Sequence, residues 1–462
     1  MGYRRHGGGN RSNYGRNGGR RWKSRGRRGG AGGRRAAIVT LGIAAAAAAA
    51  AAFLLLAGPA SYDGGAWPNA GAGDAAKTPV QAPGPPPFPE PAITAAEEAA
   101  EQAGAKPGQA GADLRKSTGS GTHEAGSKYQ EPPSEEELAG ARASMLDMIN
   151  AERDRAGLEP VAPGSNGAAQ AHAENMLAGC SSSHWGLDGL KPYMRHTLAG
   201  GDQYNAENIF GLNYCVGESY MLESPAATVP DAMNGLMQSP GHRSNILDPH
   251  HATVNIGIAS DWRNDIVVQH FEYEDALSFE AEPAIDENGV LSFAAAVTAQ
   301  IQFGDSMSLT YDPAPHSLTQ GQVARTYCYT YGAAVSLIVA PPEPGWRYDG
   351  FGTTHGSGTC PDPYEIPRDV PAPESPQEAL RLQESARDAS LEGTAELKVP
   401  IIVAEEWGGF ENGRFDLRAD VGDLADLPGV YTVTLYKKDG QGEVPITSYS
   451  IFHKVERPGG YD

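Results

Sequence analysis

A chain of 462 residues has room for two or three domains. Its formal net charge of −21 is unevenly spread: residues 1–35 hold 12 of the 36 Lys and Arg and no acid, so the rest carries 24 basic against 57 acidic side chains, or −33. An acidic body argues against nucleic-acid binding by the folded part, because phosphates are neutralised by clustered Lys and Arg.

The basic arm at 1–35, rich in Gly and Arg, reads either as an RNA-binding tail or as the cytoplasmic flank of a membrane span, and the residues after it favour the span. Residues 36–57 carry no charge and are long enough to cross a hydrocarbon core of ~30 Å as a helix. A transmembrane signal-anchor is therefore predicted at 36–58, with the positive arm inside and the C-terminal body outside the cell membrane. A cleaved signal peptide, leading to secretion, is the alternative, although Gly58-Pro59-Ala60 is a poor small-residue cleavage site. Both routes export the body.

Residues 59–133 are dominated by Pro, Ala, Gly and Glu, as in Ala82-Pro83-Gly84-Pro85-Pro86-Pro87-Phe88-Pro89, and are too poor in apolar side chains to bury a core. They read as a disordered linker. The four cysteines, Cys180, Cys215, Cys328 and Cys360, all lie on the exported side, where disulfides persist. Of the possible pairings, Cys180–Cys215 with Cys328–Cys360 is the local one. Each bridge would close a loop of roughly 30 residues, worth about 3–4 kcal/mol in the chain-entropy picture. The sequence holds no Cys-x-x-Cys and no Cys-His metal spacing.

Order is predicted to begin at Ser134. Ser134-Glu135-Glu136-Glu137 has the form of a capping box, and Leu138, Met145, Met148 and Ile149 recur at helical spacing until Gly157. A second helix is predicted over about 165–178, closed by Gly179, and a third over about 226–238 with Pro230 near its first turn. Strands follow at 253–260, alternating Val254, Ile256 and Ile258, and at 265–271. Helices with a terminal hairpin predict a layered α+β domain over 134–275.

Several fragments of that domain fall in one order. They are Asn150-Ala151-Glu152-Arg153, Gly157-Leu158-Glu159-Pro160, Cys180-Ser181-Ser182-Ser183-His184, Asp188-Gly189 with Arg195, Ala206-Glu207-Asn208-Ile209, the run from Ser239 to Leu247, and Val267-Val268-Gln269-His270-Phe271. The set resembles the CAP (SCP) superfamily of secreted proteins over about 134–273. The resemblance implies an α-β-α sandwich, an extracellular setting and a cleft with two His and two Glu. It implies no single activity, since lipid or sterol binding, cation binding and hydrolysis are each proposed within the family. Position by position, His184 takes the first cleft histidine and Glu207 the glutamate. Ala206 replaces the motif's usual glycine, which matters only if the backbone there needs a positive φ. The second glutamate is missing, with Gln238 or Ser239 in its place. The last histidine is His242 or His250.

These residue types support three chemistries. His184 and His242 as neutral imidazoles suit Zn2+ or a similar divalent cation, with Glu207 as a third ligand or as the acceptor of an imidazole N–H. Glu207 with His184 or His242 can instead act catalytically by activating a water. The third reading is a hydrogen-bonded network that fixes the cleft walls. Ser183, Ser239 and Ser244 lie near the histidines in sequence, but no nucleophile elbow or oxyanion-hole motif accompanies them. His172 reads as a surface or satisfied helix residue, and His196 and His251 as loop residues. Arg243 reads as a bridge to a carboxylate, and Trp185, Tyr193 and Tyr204 as packing aromatics able to line a groove.

Beyond Ala276 the pattern is short strand-like runs, at 290–293, 297–303, 307–311, 334–340, 397–403, 415–421, 430–436 and 446–452. They predict an immunoglobulin-like β-sandwich over 276–462, with a short helix starting at Ser375 and a corner tyrosine at Tyr431. The fold class expected is α+β: a CAP-type α-β-α sandwich followed by a mainly-β domain. The function expected is a membrane-anchored cell-surface binding module taking a cell-wall, lipid, small-molecule or cation ligand in the cleft. A cation-dependent hydrolase and a structural envelope protein are the alternatives.

Overall fold

In the computed structural model, helix α1 (Glu135–Arg155) starts where its capping box places it. The Ser134 amide donates to Glu137 Oε2 at 2.8 Å and the Glu137 amide to Ser134 Oγ at 3.3 Å, and Gly157, at φ +74°, turns the chain away at the other end. The structure describes residues 132–212, 224–261, 264–274, 276–298, 301–357, 360–375, 394–408, 413–438 and 443–460, with parts of 378–386. The arm at 1–35, the candidate span at 36–58 and nearly all of the linker at 59–133 lie outside them. Among the described residues no helix is long and apolar enough to cross a membrane.

Helices α2 (Ala168–Gly179), α3 (Pro192–Leu198), α4 (Pro225–Gln238) and α5 (Pro240–Ile246) surround one sheet. Its strands are β1 (Ala162–Pro163), β2 (Asn205–Leu212), β3 (His251–Ser260) and β4 (Asp265–Tyr273), in the order β1-β3-β4-β2. Strand β4 is buried along its whole length because helices cover both faces. Its odd-numbered Val267 and Phe271 pack with Leu138, Met145 and Ile149 of α1 and with Val229, Met233 and Leu236 of α4. Its even-numbered Ile266 and Val268 pack with Ala169, Ala173 and Met176 of α2. The period-two alternation of a strand thus feeds two helical layers, and an α-β-α sandwich results. Helix α2 crosses β3 at Gly257, where a Cβ would meet the Ala169 carbonyl oxygen at 2.1 Å.

Local details differ from expectation. Helix α2 runs through Gly179, and the left-handed residue that closes it, at φ 51°, is Cys180. Pro225 opens α4, and Pro230 sits inside it. Arg195 and His196, expected in a loop, lie on α3, a short helix opened by Pro192, whose fixed φ suits a first helical turn. Strand β2 joins the expected hairpin as an edge strand beside β4.

The strand-rich region that follows comprises β5 (Leu277–Ile285), β6 (Val290–Val297), β7 (Gln302–Pro313), α6 (Gln320–Val323), β8 (Ala333–Val339), β9 (Phe351–Ser357), β10 (Thr394–Val403), β11 (Glu406–Gly408), β12 (Arg414–Asp420), β13 (Gly429–Lys438) and β14 (Glu443–His453). They form two sheets, β11-β12-β6-β5 and β14-β13-β7-β8-β10-β9. The first has the A-B-E-D order of an immunoglobulin-like sandwich, and β7, β13 and β14 supply C, F and G, with three strands added beyond C. Phe293, Phe415 and Leu417 of one sheet pack with Met307, Leu309, Val433 and Leu435 of the other. Tyr431 is the corner tyrosine: its hydroxyl donates to the Leu427 carbonyl at 3.2 Å. The runs expected at 297–303 and 307–311 belong instead to the end of β6 and the single strand β7. The helix expected from Ser375 is present: the described residues 378–379, 381–382 and 385–386 are helical, and the Glu378 amide donates to Ser375 Oγ at 3.2 Å. Cys328 is bonded to Cys360. Cys180 is also disulfide-bonded, and Cys215, the partner expected for it, lies outside the described residues.

Alternation also explains how the two layered bodies meet. Tyr431, Val433 and Leu435 of β13 point into the sandwich, so Val430, Thr432 and Thr434 point out, as do Ser448 and Ser450 of β14. All of these outward residues are nevertheless buried. The CAP-like body covers them: the Ser450 amide donates to Thr197 Oγ1 at 3.0 Å, Asn205 Nδ2 donates to Ser448 Oγ at 3.3 Å, and Val430 packs with Leu190, Tyr193, Met194 and Leu198. Lys191 crosses the same boundary to Asp312 at 2.6 Å.

Candidate functional site

The sheet face beneath α2 and α3 is apolar at one end and polar at the other. At the polar end, β2 contributes Asn205 and Glu207, β3 contributes Asn255 and β4 contributes His270 and Glu272, with Glu207 paired to His270 and Asn205 to Glu272 in register. Helix α3 lays Arg195 and His196 over this end, α2 adds His172, and the chain after α2 adds His184.

Glu207 is the centre. Arg195 Nη2 reaches its two oxygens at 3.2 and 3.0 Å, and His184 Nδ1 lies 2.9 Å from Oε1. His172 Nε2 is 3.7 Å from the same oxygen and 2.9 Å from the Ser183 carbonyl. Arg195 also donates to the Leu190 and His184 carbonyls, at 2.7 and 3.0 Å, which locks the His184 loop to α3. Arg195 is fully buried and His184 and Glu207 are each 4% exposed. Burial by itself raises the pKa of Glu207, but Arg195, joined by the His184 hydrogen bond, outweighs it and holds the carboxyl well below the usual range. Burial, reinforced by Arg195, pushes His172 down to about 3. His172 is therefore neutral and donates its Nε2–H to Ser183.

A second buried carboxylate lies alongside. Glu272 is bonded to His196 Nε2 at 3.0 Å and accepts from Asn255 Nδ2 at 2.7 Å and Thr253 Oγ1 at 2.6 Å. Burial opposes its ionisation, yet His196 and Thr253 bring its pKa down to about 2. His270 Nε2 sits 2.9 Å from Asn205 Oδ1, its ring edge-on to His196, and burial next to His196 pushes it down to about 3.

His184 and His242 flank one tyrosine from the other body. Tyr327 Oη lies 3.2 Å from His242 Nε2, and the Tyr327 ring meets His184 edge-on at 5.5 Å. Tyr329 meets the His184 ring at 5.3 Å. His250 takes a different neighbourhood: its Nδ1 is 3.0 Å from Asp248, which also accepts from Tyr273 Oη at 2.8 Å, and its ring tilts against Tyr273. Ala206 has no positive φ, so its strand tolerates the methyl group. Gln238 is exposed and donates to Asn234 Oδ1 at 3.0 Å.

Several residues read as bland carry the network. His172 and His196 are fully buried, and His251, at the start of β3, is 3% exposed with Nδ1 2.8 Å from the Asn245 carbonyl. Arg243 is exposed, and the guanidinium that bridges to the carboxylate is that of Arg195. Ser183 is buried with its hydroxyl accepting from the Trp185 amide at 3.1 Å. The tyrosines of Tyr327-Cys328-Tyr329-Thr330-Tyr331 had a visible signal, strict alternation, but in a stretch that reads as no strand.

Among the described residues no group of three or more His, Cys, Asp and Glu is arranged to hold a metal ion. The donor set around Glu207 does not fit a divalent cation either. Both oxygens already face Arg195, which provides the positive charge a metal would bring and would repel one placed beside it.

Residues 146–271 match the CAP family, described as the cysteine-rich secretory protein family, so the chain carries a CAP domain followed by a strand-rich region. No curated protein matches the chain. Among solved structures, an outer surface protein of Borrelia burgdorferi is similar at 14% identity over 31% of this chain and 98% of its own, with a TM-score of 0.26.

Proposed function

We propose that the protein is an exported cell-surface module whose CAP cleft binds a ligand and does not cleave one. The observation that carries this reading is the commitment of Glu207: its carboxylate is buried, held by Arg195 and His184, and therefore serves to orient the cleft wall. The Ser183 hydroxyl likewise accepts from the Trp185 amide, a bond that fixes its own turn. Export is supported by the basic arm and uncharged stretch of the sequence and by the disulfide Cys328–Cys360, since such bonds persist outside the reducing cytoplasm. On this reading residues 36–58 anchor the chain and the body faces outward, where lipid, glycan or peptide ligands of the envelope are the partners.

One feature favours the hydrolase alternative. The Glu207–His184 pair resembles an acid orienting a catalytic imidazole, with Nε2 left as the acceptor. The two readings part on turnover. Purified chain should show no His184-dependent cleavage of peptide or ester substrates. It should bind an envelope fraction saturably, with a loss of about tenfold in His242→Ala, the size expected for one polar contact to an ionisable group. Cleavage abolished by His184→Ala would give the site to the hydrolase.

A further inference from the structure

Residues 326–332 run between α6 and β8 and belong to no helix or strand. A backbone that has no ladder in its own domain must satisfy its polar groups elsewhere, and here the CAP domain does so. The Tyr327 carbonyl accepts from the His184 amide at 3.2 Å, the Cys328 carbonyl from Trp185 Nε1 at 3.0 Å, and the Thr330 carbonyl from Lys191 Nζ at 2.7 Å and Tyr193 Oη at 3.2 Å. The side chains alternate as in an extended peptide. Tyr327 goes to His184 and His242, Tyr329 to His184 and Tyr193, and Tyr331 stacks on Tyr193 with centroids 4.5 Å apart and on Tyr204 at 6.0 Å. Between them, Cys328 is turned to its disulfide with Cys360.

We infer that the CAP cleft is a groove for an extended polypeptide with tyrosines at alternate positions, and that residues 326–331 of the same chain are its resident occupant. The inference rests on the cleft being a binding site and names its ligand class. The pattern is that of strand-like peptide capture, in which carbonyl contacts supply affinity and alternate pockets supply selectivity. An outside ligand that contacts the buried His184 competes with Tyr327 and Tyr329 for it, so the C-terminal domain sets the occupancy of this part of the cleft.

The test uses the full chain carrying Tyr327→Ser and Tyr329→Ser, which empties the side-chain pockets at His184 and His242 without touching the CAP-domain walls and leaves the resident segment held by its carbonyls and Tyr331 alone. The probe is a fluorescein-labelled synthetic peptide of residues 325–332 with serine in place of Cys328, read by anisotropy. The emptied chain should bind it at least about tenfold more tightly than the unaltered chain. Adding Trp185→Phe, which removes the indole N–H donor along with part of the ring packed on Tyr364, should weaken binding by at least about five- to tenfold, the scale of one hydrogen bond. A peptide with its tyrosines made consecutive should not bind. No binding by an emptied chain that still melts cooperatively overturns the inference. If that chain binds envelope ligands but not the peptide, the module reading stands and this one falls. Should the substituted chain not fold, amide exchange in the unaltered chain decides. The His184 amide should exchange together with residues 326–332 and faster than the amides of β4. Exchange of all of them at the β4 rate would mean a permanent domain interface and overturn the proposal.

Discussion

Arg195 and Glu207 form a buried ion pair with side chains 0% and 1% exposed, joined at 3.0 Å between α3 and β2. A pair so deeply buried is costly to break from one side, because the survivor is left charged without water. Arg195→Met should therefore destabilise the protein by about 3–5 kcal/mol. Replacing both partners, as Arg195→Met with Glu207→Leu, should recover most of that loss. Urea unfolding midpoints of the two variants check this. Equal midpoints would mean that the pair is not the keystone of the site.

The pH dependence follows from the buried histidines. Burial lowers His172 and His270 to about 3 and His251 to about 4. Their folded pKa values lie below the ordinary value near 6.5, so the unfolded chain binds protons first as the pH falls. The stability they contribute is whole above about 6.5 and drains away down to about 3–4. Asp248 and Glu272 extend the window. Burial opposes their ionisation, but the His250 hydrogen bond for Asp248 and His196 for Glu272 lower each to about 2, so their contribution is lost as the pH falls from about 4 to about 2. Each proton is worth up to about 1.4 kcal/mol per pH unit. Unfolding free energies at pH 7, 5.5 and 4 should fall steadily, and a flat profile would contradict the neutral-histidine assignment.

What the sequence made legible and what it did not have separate causes. Ser134 with Glu137, the two-faced strand β4 and Tyr431 were readable because each depends on neighbours close in the chain. Glu207 and His184 stood out by their embedding motifs. Arg195 and His196 read as loop residues in the sequence because a seven-residue helix opened by Pro192 shows too little periodicity to reveal itself. The fate of His172 depends on Ser183 and Glu207, and that of Tyr327 on His242. Only the folded sheet and the docking of the second domain bring those residues together. Strand β5, interrupted by Glu280, Glu282 and Pro283, lacks the clean alternation that marks a strand, and its pairing with β6 is broken by register shifts.

Tyr431 offers a narrow test of the sandwich. Its ring is in the core while its hydroxyl reaches back to the Leu427 carbonyl at 3.2 Å. Tyr431→Phe keeps the packing and removes one hydrogen bond, so the expected loss is about 1 kcal/mol. Tyr431→Ala also opens a cavity and should cost about 3–5 kcal/mol, as large aromatic truncations do. Paired denaturation curves separate the two contributions, and similar losses in both variants would show that the corner bond, not the ring, does most of the stabilising.

Lys191 and Asp312 decide whether the two domains unfold as one. Lys191 Nζ is 2.6 Å from Asp312 Oδ1, Tyr193 Oη is 2.5 Å from Oδ2, and the two charged side chains are 5% and 7% exposed. Burial and the neighbouring Asp312 raise the Tyr193 pKa well above its ordinary value, so the phenol stays protonated and can donate. Asp312→Ala removes the carboxylate that both groups share, leaves them the Thr330 carbonyl, and leaves a buried ammonium without its counter-charge, at an expected cost of about 3–5 kcal/mol concentrated at the domain boundary. Calorimetry of the unaltered chain should show one cooperative transition for the folded body, and Asp312→Ala should split it, with one component moving to lower temperature. A single transition displaced as a whole would mean that the interface is held mainly by the cluster of Leu190, Tyr193, Met194 and Val430.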